Sequence, residues 1–229
     1  MKKVPFLLMV LVAYATFAFG QLTPLDVSKI AASGAKPDAF TQPGWKVEEV
    51  VKGDLNGDGK PDAAIKIAQI EKDREGGIGG DRALIIAFAD GSSWRRAAIG
   101  AQILQCVDCG GAFYGVMPAP AHVTIEKGIL VIENEHGSRD ISDSTFRFRY
   151  GASDGKFTLI GYDYVDNDRL TGAWANESTN YSTNLRVTKT GKGKRSSTKR
   201  TTIKPTKIYL EDADGDAIEF EALHRLGLD

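Results

Sequence analysis

Short segments with alternating apolar and polar residues, joined by glycine-containing turns, make up much of the chain after residue 80. Residues 146–150 run Phe-Arg-Phe-Arg-Tyr, turn through Asp154-Gly155 and return as Phe157–Tyr164. Alternation bounded by such turns is typical of antiparallel strand pairs. The same pattern predicts two more hairpins: Ala83–Phe88 with Trp94–Ile99 around Asp90-Gly91, and His122–Ile125 with Ile129–Glu133 around Lys127-Gly128. The sequence therefore predicts an all-β fold, a mainly antiparallel sandwich or propeller-like set of sheets, with one short N-terminal helix.

The strand at 146–150 also predicts which side chains face the core. Phe146, Phe148 and Tyr150 point to one face of the strand, because successive side chains alternate between faces. We expect this aromatic face to be buried, and we expect Arg147 and Arg149 on the other face to meet solvent. A binding groove lined by the two arginines is the alternative.

The first twenty residues have the pattern of a secretory signal peptide. Lys2 and Lys3 precede an apolar run over 4–19, and the small residues Ala18 and Gly20 mark a cleavage point. The run is short for a membrane span, which needs about 20 apolar residues, and no later stretch is long and apolar enough. We therefore expect an exported bacterial protein, periplasmic or extracellular. Its mature chain would have no membrane span and a net charge of about −3.

The mature chain is expected to hold a β domain over residues 21–188. Thr23-Pro24 opens its short helix, which should stop by Gly34. Residues 189–207 hold eight basic side chains, no acid and many serines, threonines and glycines. This composition predicts an exposed basic linker or loop. Residues 208–229 are expected to form a C-terminal hairpin or appendage.

The predicted C-terminal hairpin pairs Lys207–Leu210 with Ala217–Phe220 around Asp214-Gly215. Acidic residues surround this turn, and their glycine comes one position too early for the frame of a calcium loop. We therefore expect a polar turn, with a second cation site as the alternative. The acidic residues are Asp212, Asp214, Asp216 and Glu219.

The two cysteines, Cys106 and Cys109, are separated by two residues. In an exported protein this spacing favours a local disulfide that closes a tight loop. A redox motif and a pair of free thiols are the alternatives. A zinc site is disfavoured because there is no second cysteine pair, and the histidines His122, His136 and His224 have no ligand spacing.

The segment that follows Gly53 carries the clearest chemical motif. Oxygen-bearing side chains stand at relative positions 1, 3, 5 and 9, and Gly59 stands at position 6. This is the spacing of the first part of an EF-hand calcium loop, in which the glycine permits a sharp turn. Hard oxygen donors that converge on one point suit Ca²⁺. The four side chains are those of Asp54, Asn56, Asp58 and Asp62.

Two features separate this loop from an EF-hand. Position 12 is Ile65 rather than glutamate, and the flanking segments Val47–Val51 and Ala63–Ile67 are predicted strands rather than helices. Residues 53–62 instead resemble the FG-GAP calcium loop found in integrin α chains, whose form is Gly-Asp-Leu-Asn-Gly-Asp-Gly-Lys-Pro-Asp. The resemblance implies a calcium loop over residues 54–62. The implied ligands are the side chains of Asp54, Asn56, Asp58 and Asp62 and the backbone carbonyl of Lys60.

A broader resemblance covers most of residues 45–185. Cys106–Gly111, Gly161–Asp163 and Glu177–Ser182, following such a calcium loop, are similar to a family of uncharacterised exported bacterial proteins. This resemblance implies export and the same fold. It implies no activity.

The sequence favours a noncatalytic module with structural calcium over an enzyme. It contains no Gly-x-Ser-x-Gly elbow, no His-Glu-x-x-His and no phosphate-binding glycine loop. The alternative function is a metal-assisted extracytoplasmic hydrolase that acts on a carbohydrate or a phosphate ester. A cleft that joins the calcium loop to His136 or Asp163 would favour that alternative.

The expected partners are an extracellular polymer or a surface protein. The basic run at 189–207 could contact phosphates electrostatically. It has no interleaved aromatic side chain on which a base could stack, which disfavours nucleic acid.

Overall fold

Twelve antiparallel β-strands make up two sheets in the computed structural model, which describes residues 22–72 and 75–228. The first sheet contains β1 (Ser33–Gly34), β2 (Trp45–Gly53), β3 (Asp62–Ile70), β4 (Ile78–Asp90) and β5 (Ser93–Gly100), in the spatial order β1-β5-β4-β3-β2. The second contains β6 (Ala121–Glu126), β7 (Ile129–Gly137), β8 (Asp140–Gly151), β9 (Lys156–Asp168), β10 (Ala173–Asn180), β11 (Leu185–Lys192) and β12 (Arg195–Thr202), in the order β12-β11-β10-β9-β8-β7-β6. This second sheet curves into a half-barrel. The prediction of an all-β, mainly antiparallel fold is confirmed. The signal peptide predicted for residues 1–20 lies outside the described residues.

The three predicted hairpins are present as β4–β5, β6–β7 and β8–β9. Their turns need a positive φ, which glycine adopts without a steric penalty. Gly91, Gly128 and Gly155 supply it, with φ of 62°, 77° and 68°. On β8 the side chains of Phe146 and Phe148 are fully buried, as their alternation predicts.

Two apolar clusters lie on opposite faces of the first sheet. The larger fills the space between the two sheets and includes Leu84, Phe146 and Phe148. The smaller lies on the outer face, where Ile30 and Phe40 from the N-terminal segment cover β3 and β4. Because β3 and β4 are covered on both faces, nearly every residue of β3 is buried.

One buried arginine ties separate segments of the first sheet and its connections together. Arg82, on β4, is 2% exposed. Its guanidinium donates to both carboxylate oxygens of Glu48 on β2, at 2.8 and 2.9 Å. It also donates to the backbone carbonyls of Gln105 and Ala119, at 3.1 and 2.9 Å. Arg82 therefore fixes the long connection between β5 and β6 against the sheet.

The short N-terminal helix begins later than the sequence predicts. It is a single 3₁₀ turn, Val27–Lys29, capped by the Asp26 side chain, which accepts from the Ser28 N–H. The segment at Thr23 stays extended because its carbonyl accepts hydrogen bonds from two side chains of the first sheet. The donors are Trp45 Nε1 and Gln69 Nε2, at 2.7 and 2.8 Å.

The basic run at 189–207 is not a linker: most of it belongs to the hairpin of β11 and β12. Lys192 pairs with Arg195 across a two-residue turn, in which Gly193 has φ 58°. Threonines on both strands favour extended backbone. The composition suggested flexibility, but strand pairing with β10 gives the segment its structure.

The C-terminal hairpin prediction is wrong as well. A four-residue helix, α1, spans Gly111–Tyr114, and a longer one, α2, occupies Gly215–Leu226. Asp214 is the N-cap of α2 and accepts from the Ala217 N–H, so the Asp-Gly pair begins a helix instead of a hairpin turn. Gly227, with φ 71°, ends it. The helix packs against the core between the sheets, which buries Ala222.

Candidate functional site

The predicted calcium ligands lie in the connection between β2 and β3, and three of them bond to the loop's own backbone. Asp54 accepts from the N–H groups of Gly57 and Gly59, at 2.7 and 2.9 Å. Asn56 accepts from Asp58 N–H at 2.9 Å, and Asp58 accepts from Lys60 N–H at 2.8 Å. These contacts hold the side chains of Asp54, Asn56 and Asp58 against the backbone of the turn.

Gly57 and Gly59 make this turn possible, and hydrogen bonds within the turn keep the Asp54 carboxylate ionised. Gly57 and Gly59 have φ of 80° and 79°, and the space where a Cβ would stand is open at both. Hydrogen bonds from the Gly59 and Gly57 N–H groups hold the pKa of Asp54 below its usual value. Asp54 is therefore an anion at neutral pH.

Asp62, the fourth predicted side-chain ligand, faces the protein. It is fully buried and accepts from the N–H groups of Leu55 and Ala89, both at 2.9 Å. Asp62 thus anchors the loop to β4. Within the described residues, no three histidine, cysteine, aspartate or glutamate side chains are grouped to hold a metal ion. Asp54, Asn56 and Asp58 are thus bonded to the turn itself, whereas Asp62 bonds both to the loop and to β4.

The predicted disulfide joins Cys106 and Cys109, whose Cα atoms are 5.2 Å apart. The two cysteines therefore lie at disulfide distance, as their spacing predicts. The enclosed Val107 is buried and donates to the Gly80 carbonyl at 2.7 Å, so the closed loop packs against β4.

A cleft of about 1070 Å³ opens on the inner face of the half-barrel, beside α2. Its floor includes a continuous row of side chains, one from each strand from β7 to β12. Neighbours in the row are paired across adjacent strands. In strand order, the row consists of His136, Ser142, Asp166, Ala175, Thr190 and Ser197.

Two buried polar groups of the cleft have unused hydrogen-bonding capacity. The hydroxyl of Tyr164, which is fully buried, makes no hydrogen bond of normal geometry within the described residues, although the Ser142 hydroxyl lies near enough to oppose the rise in its pKa. Asp166 is 6% exposed and accepts one hydrogen bond, from the Ser142 hydroxyl at 2.9 Å. Burial raises the pKa of both groups, because it disfavours their charged forms.

One end of the cleft is tied to α2 through an ion pair. His136 Nε2 contacts one carboxylate oxygen of Glu219 on α2. The second oxygen accepts from the Ser144 hydroxyl at 2.5 Å. The hydrogen bond with Glu219 raises the pKa of His136 above its ordinary 6.5. Glu219 is thus bonded to His136 and Ser144, and Asp214 caps the helix.

A pH dependence of stability follows from the His136–Glu219 pair. The folded-state pKa of His136 is raised, so the pair contributes fully below about pH 6.5. That contribution is lost as the pH rises through the folded-state pKa. We expect the Tm difference between the wild type and His136→Gln to shrink from pH 5.5 to pH 8.5.

Thermal unfolding across that range measures this difference directly. His122→Gln is the control, because His122 is exposed. A difference for His136→Gln that stays constant with pH would contradict the assigned ion pair.

A second buried carboxylate fastens α2 to the half-barrel. Glu177, on β10, is fully buried and accepts two hydrogen bonds from Arg225 of α2, at 2.7 and 2.8 Å. Arg186 on β11 lies 3.2 Å from the same carboxylate. Two arginines therefore neutralise one acid at the base of the cleft.

The far rim of the cleft is basic. Lys192 and Arg195 lie directly opposite each other on β11 and β12, and both line the cleft. Neither forms an ion pair within the described residues, whereas Arg139 at the other rim is bonded to Asp168. The cleft is thus cationic at its β11–β12 edge.

The geometry separates the calcium loop from the cleft. None of the described residues that line the cleft belongs to 54–62, although His136 does line it. Asp163 is bonded to Arg147, an outward-facing side chain of β8. The joined site that would favour a hydrolase is therefore absent from the described part of the chain.

The sequence did not single out the residues that give the cleft its character. Glu219 belongs to the acidic cluster near the C-terminus, and Glu177 belongs to the motif at 177–182, but neither pattern predicts its ion pair. No pattern in the sequence places Tyr164 and Asp166 in one cleft. The available signal was the period-two run over 162–168, in which the buried side chains change from tyrosine to aspartate.

Within the described residues, every helix is too short or too polar to cross a membrane.

Comparisons with known proteins do not identify a family for this chain. No family model, no curated protein and no solved structure matches it.

Proposed function

We propose that the chain is an exported, noncatalytic β module in which the loop over residues 54–62 binds Ca²⁺ as a structural ion. The observation that carries the proposal is the curled loop: Asp54, Asn56 and Asp58 present oxygen atoms over one turn. Carboxylate and amide oxygens are the ligands that Ca²⁺ prefers, and two of the three side chains are acids. Export rests on the pattern of residues 1–20.

The donor set fits calcium in its chemistry. Four oxygens of these three side chains accept a backbone N–H, and each of them retains a second lone pair. The backbone carbonyl of Lys60 is the fourth donor in the proposed site. Asp62 holds the loop in place through its hydrogen bonds, and its remaining lone pairs are also open to the ion. The bound cation would relieve the repulsion between the carboxylates of Asp54 and Asp58.

The proposed ion is structural because of where the loop lies. It joins β2 to β3 and is anchored through Asp62 to β4, so a cation there would stiffen one corner of the first sheet. The cleft on the other sheet contains no residue of the loop among those described. Support for the hydrolase alternative is therefore missing, and an extracytoplasmic polymer or protein is the proposed class of partner.

Metal content and thermal stability test the proposal. After dialysis against buffered Ca²⁺, we expect about one ion per chain in the wild type and none in Asp54→Asn/Asp58→Asn. A site filled to about a hundred times its Kd stabilises the fold by about 2.7 kcal/mol. For a chain of this size we expect a rise in Tm of about 5–10 °C over the chelated protein.

Asp38→Asn is the matched control, because Asp38 is an exposed acid outside the loop. It should retain both the ion and the rise in Tm. Identical melting curves with Ca²⁺ and with chelator would refute the proposal.

A further inference from the structure

The inner face of the half-barrel is apolar at one end and polar at the other. On β8, Phe148 and Phe146 give way to Ser144 and Ser142 at the same face. On β9, Leu159 gives way to Tyr164 and Asp166. A sheet face that only packed against a core would stay apolar along its length. The polar end is the floor of the cleft.

Unmet hydrogen bonds on this floor point to a ligand. Nearly all buried polar groups in folded proteins have partners. The Tyr164 hydroxyl has none of normal geometry within the described residues. Asp166 accepts through one oxygen, from the Ser142 hydroxyl, so its other oxygen is available to a ligand. The two residues are neighbours on one face of β9, so a donor and an acceptor stand side by side. A ligand hydroxyl, which both donates and accepts, satisfies such a pair.

The shape of the floor indicates an elongated ligand. The row from His136 to Ser197 crosses five strand spacings of about 4.8 Å, which is roughly 24 Å. Ala175 is the smallest side chain in the row and leaves space at its centre. Leu223 and Leu226 of α2 add apolar surface beside the polar row. Sugar rings have polar edges and apolar faces, so they would match both kinds of surface in the cleft.

The basic rim determines the charge of the ligand. Like charges directly opposite each other on neighbouring strands repel. Lys192 and Arg195 are such a pair and have no acid partner among the described residues. An anionic substituent between them would relieve the repulsion. The row of side chains and the basic rim both extend to β12, so an elongated ligand that lies along the row would reach Lys192 and Arg195.

We propose that this cleft binds an acidic oligosaccharide that lies across strands β7 to β12. Its hydroxyls meet Tyr164, Asp166 and the serine and threonine side chains of the row. Its carboxylate lies between Lys192 and Arg195. The proposal goes beyond the calcium module and does not require an ion in the loop.

Titration calorimetry with two probes of equal length tests the proposal. Pentagalacturonate carries carboxylates, and maltopentaose is neutral. We expect the full chain to bind pentagalacturonate at least tenfold more tightly at physiological salt. The titrations are done in EDTA, so that loss of calcium binding and loss of sugar binding are separate results.

A pair of tyrosine variants isolates the hydroxyl in the cleft. Tyr164→Phe removes one oxygen that has no partner in the free protein, so the fold is retained. We expect about a three- to tenfold loss of affinity for pentagalacturonate. Tyr162→Phe is the control: its hydroxyl is equally buried and unpaired, but it does not line the cleft. It should bind as the wild type does.

A pair of charge variants isolates the basic rim. Lys192→Gln/Arg195→Gln should remove the preference for pentagalacturonate over maltopentaose. Lys199→Gln/Arg200→Gln removes two charges from β12 outside the cleft and should preserve that preference. Three results would each overturn the proposal: no binding of pentagalacturonate, equal effects of the two tyrosine variants, or equal effects of the two charge variants.

Discussion

Replacing Arg82 with alanine is expected to lower the free energy of unfolding by about 3–5 kcal/mol, because it removes the two-point partner of the partly buried Glu48 carboxylate. Within the described residues Glu48 then keeps one cation, Lys66, whose Nζ lies 3.7 Å away. Arg82 is 2% exposed and donates to Glu48 and to two backbone carbonyls. The substitution therefore removes four hydrogen bonds to three acceptor groups at once. The carbonyls belong to Gln105 and Ala119, at the two ends of a connection that also contains the disulfide.

Urea-induced unfolding monitored by tryptophan fluorescence measures the effect of Arg82→Ala. Arg149→Ala is the control, because Arg149 is exposed on the outer face of β8 and forms no ion pair within the described residues. It should change the free energy of unfolding by less than about 0.5 kcal/mol. Glu48→Met/Arg82→Met should cost less than the sum of the single changes, because the charges disappear together. A loss below about 1 kcal/mol for Arg82→Ala would show that the contacts do not stabilise the fold.

Removing the Glu177 carboxylate is the second change with a large expected effect. Glu177→Ala leaves Arg225 and Arg186 close together without the buried acid between them, and Arg225, which belongs to α2, keeps only the exposed Glu221 among the described acids. We expect a loss of about 3–5 kcal/mol, as for other buried pairs that lose one partner. The loss of stability should be largest at α2, because that helix would then be held by the contacts of Glu219 and by the apolar residues of the helix.

Hydrogen exchange of the α2 amides distinguishes local release of the helix from general destabilisation. Glu221→Ala provides the control on the same arginine: Glu221 lies 3.4 Å from Arg225 but is 68% exposed. Exposed pairs contribute little, so its effect should stay below about 0.5 kcal/mol. Equal effects of Glu177→Ala and Glu221→Ala would mean that burial of the pair does not matter.

The features that the sequence predicted correctly are local ones. The hairpins around Asp90-Gly91, Lys127-Gly128 and Asp154-Gly155 follow from period-two alternation and turn chemistry within about 20 residues. The disulfide is local too, since three positions separate Cys106 from Cys109. Short-range patterns of this kind are visible without knowledge of the fold.

The features that the sequence missed depend on distant partners. The basic segment becomes strands because β10 pairs with β11, and composition alone does not show that partner. The cleft joins His136 to Glu219, which are 83 positions apart. Within the calcium loop, the orientation of Asp62 depends on Ala89 of β4. Alternation predicts the face of a side chain, but it does not predict which residue meets it there.

Helix α2 also bears on the order in which the protein folds. Leu210, Ala213 and Ala222 belong to the apolar cluster between the two sheets, although they follow all twelve strands. A nascent chain that has not yet reached residue 208 would leave that cluster open to water. During synthesis the strands of both sheets are therefore complete before α2, and the apolar surface that the helix covers stays exposed until the helix docks.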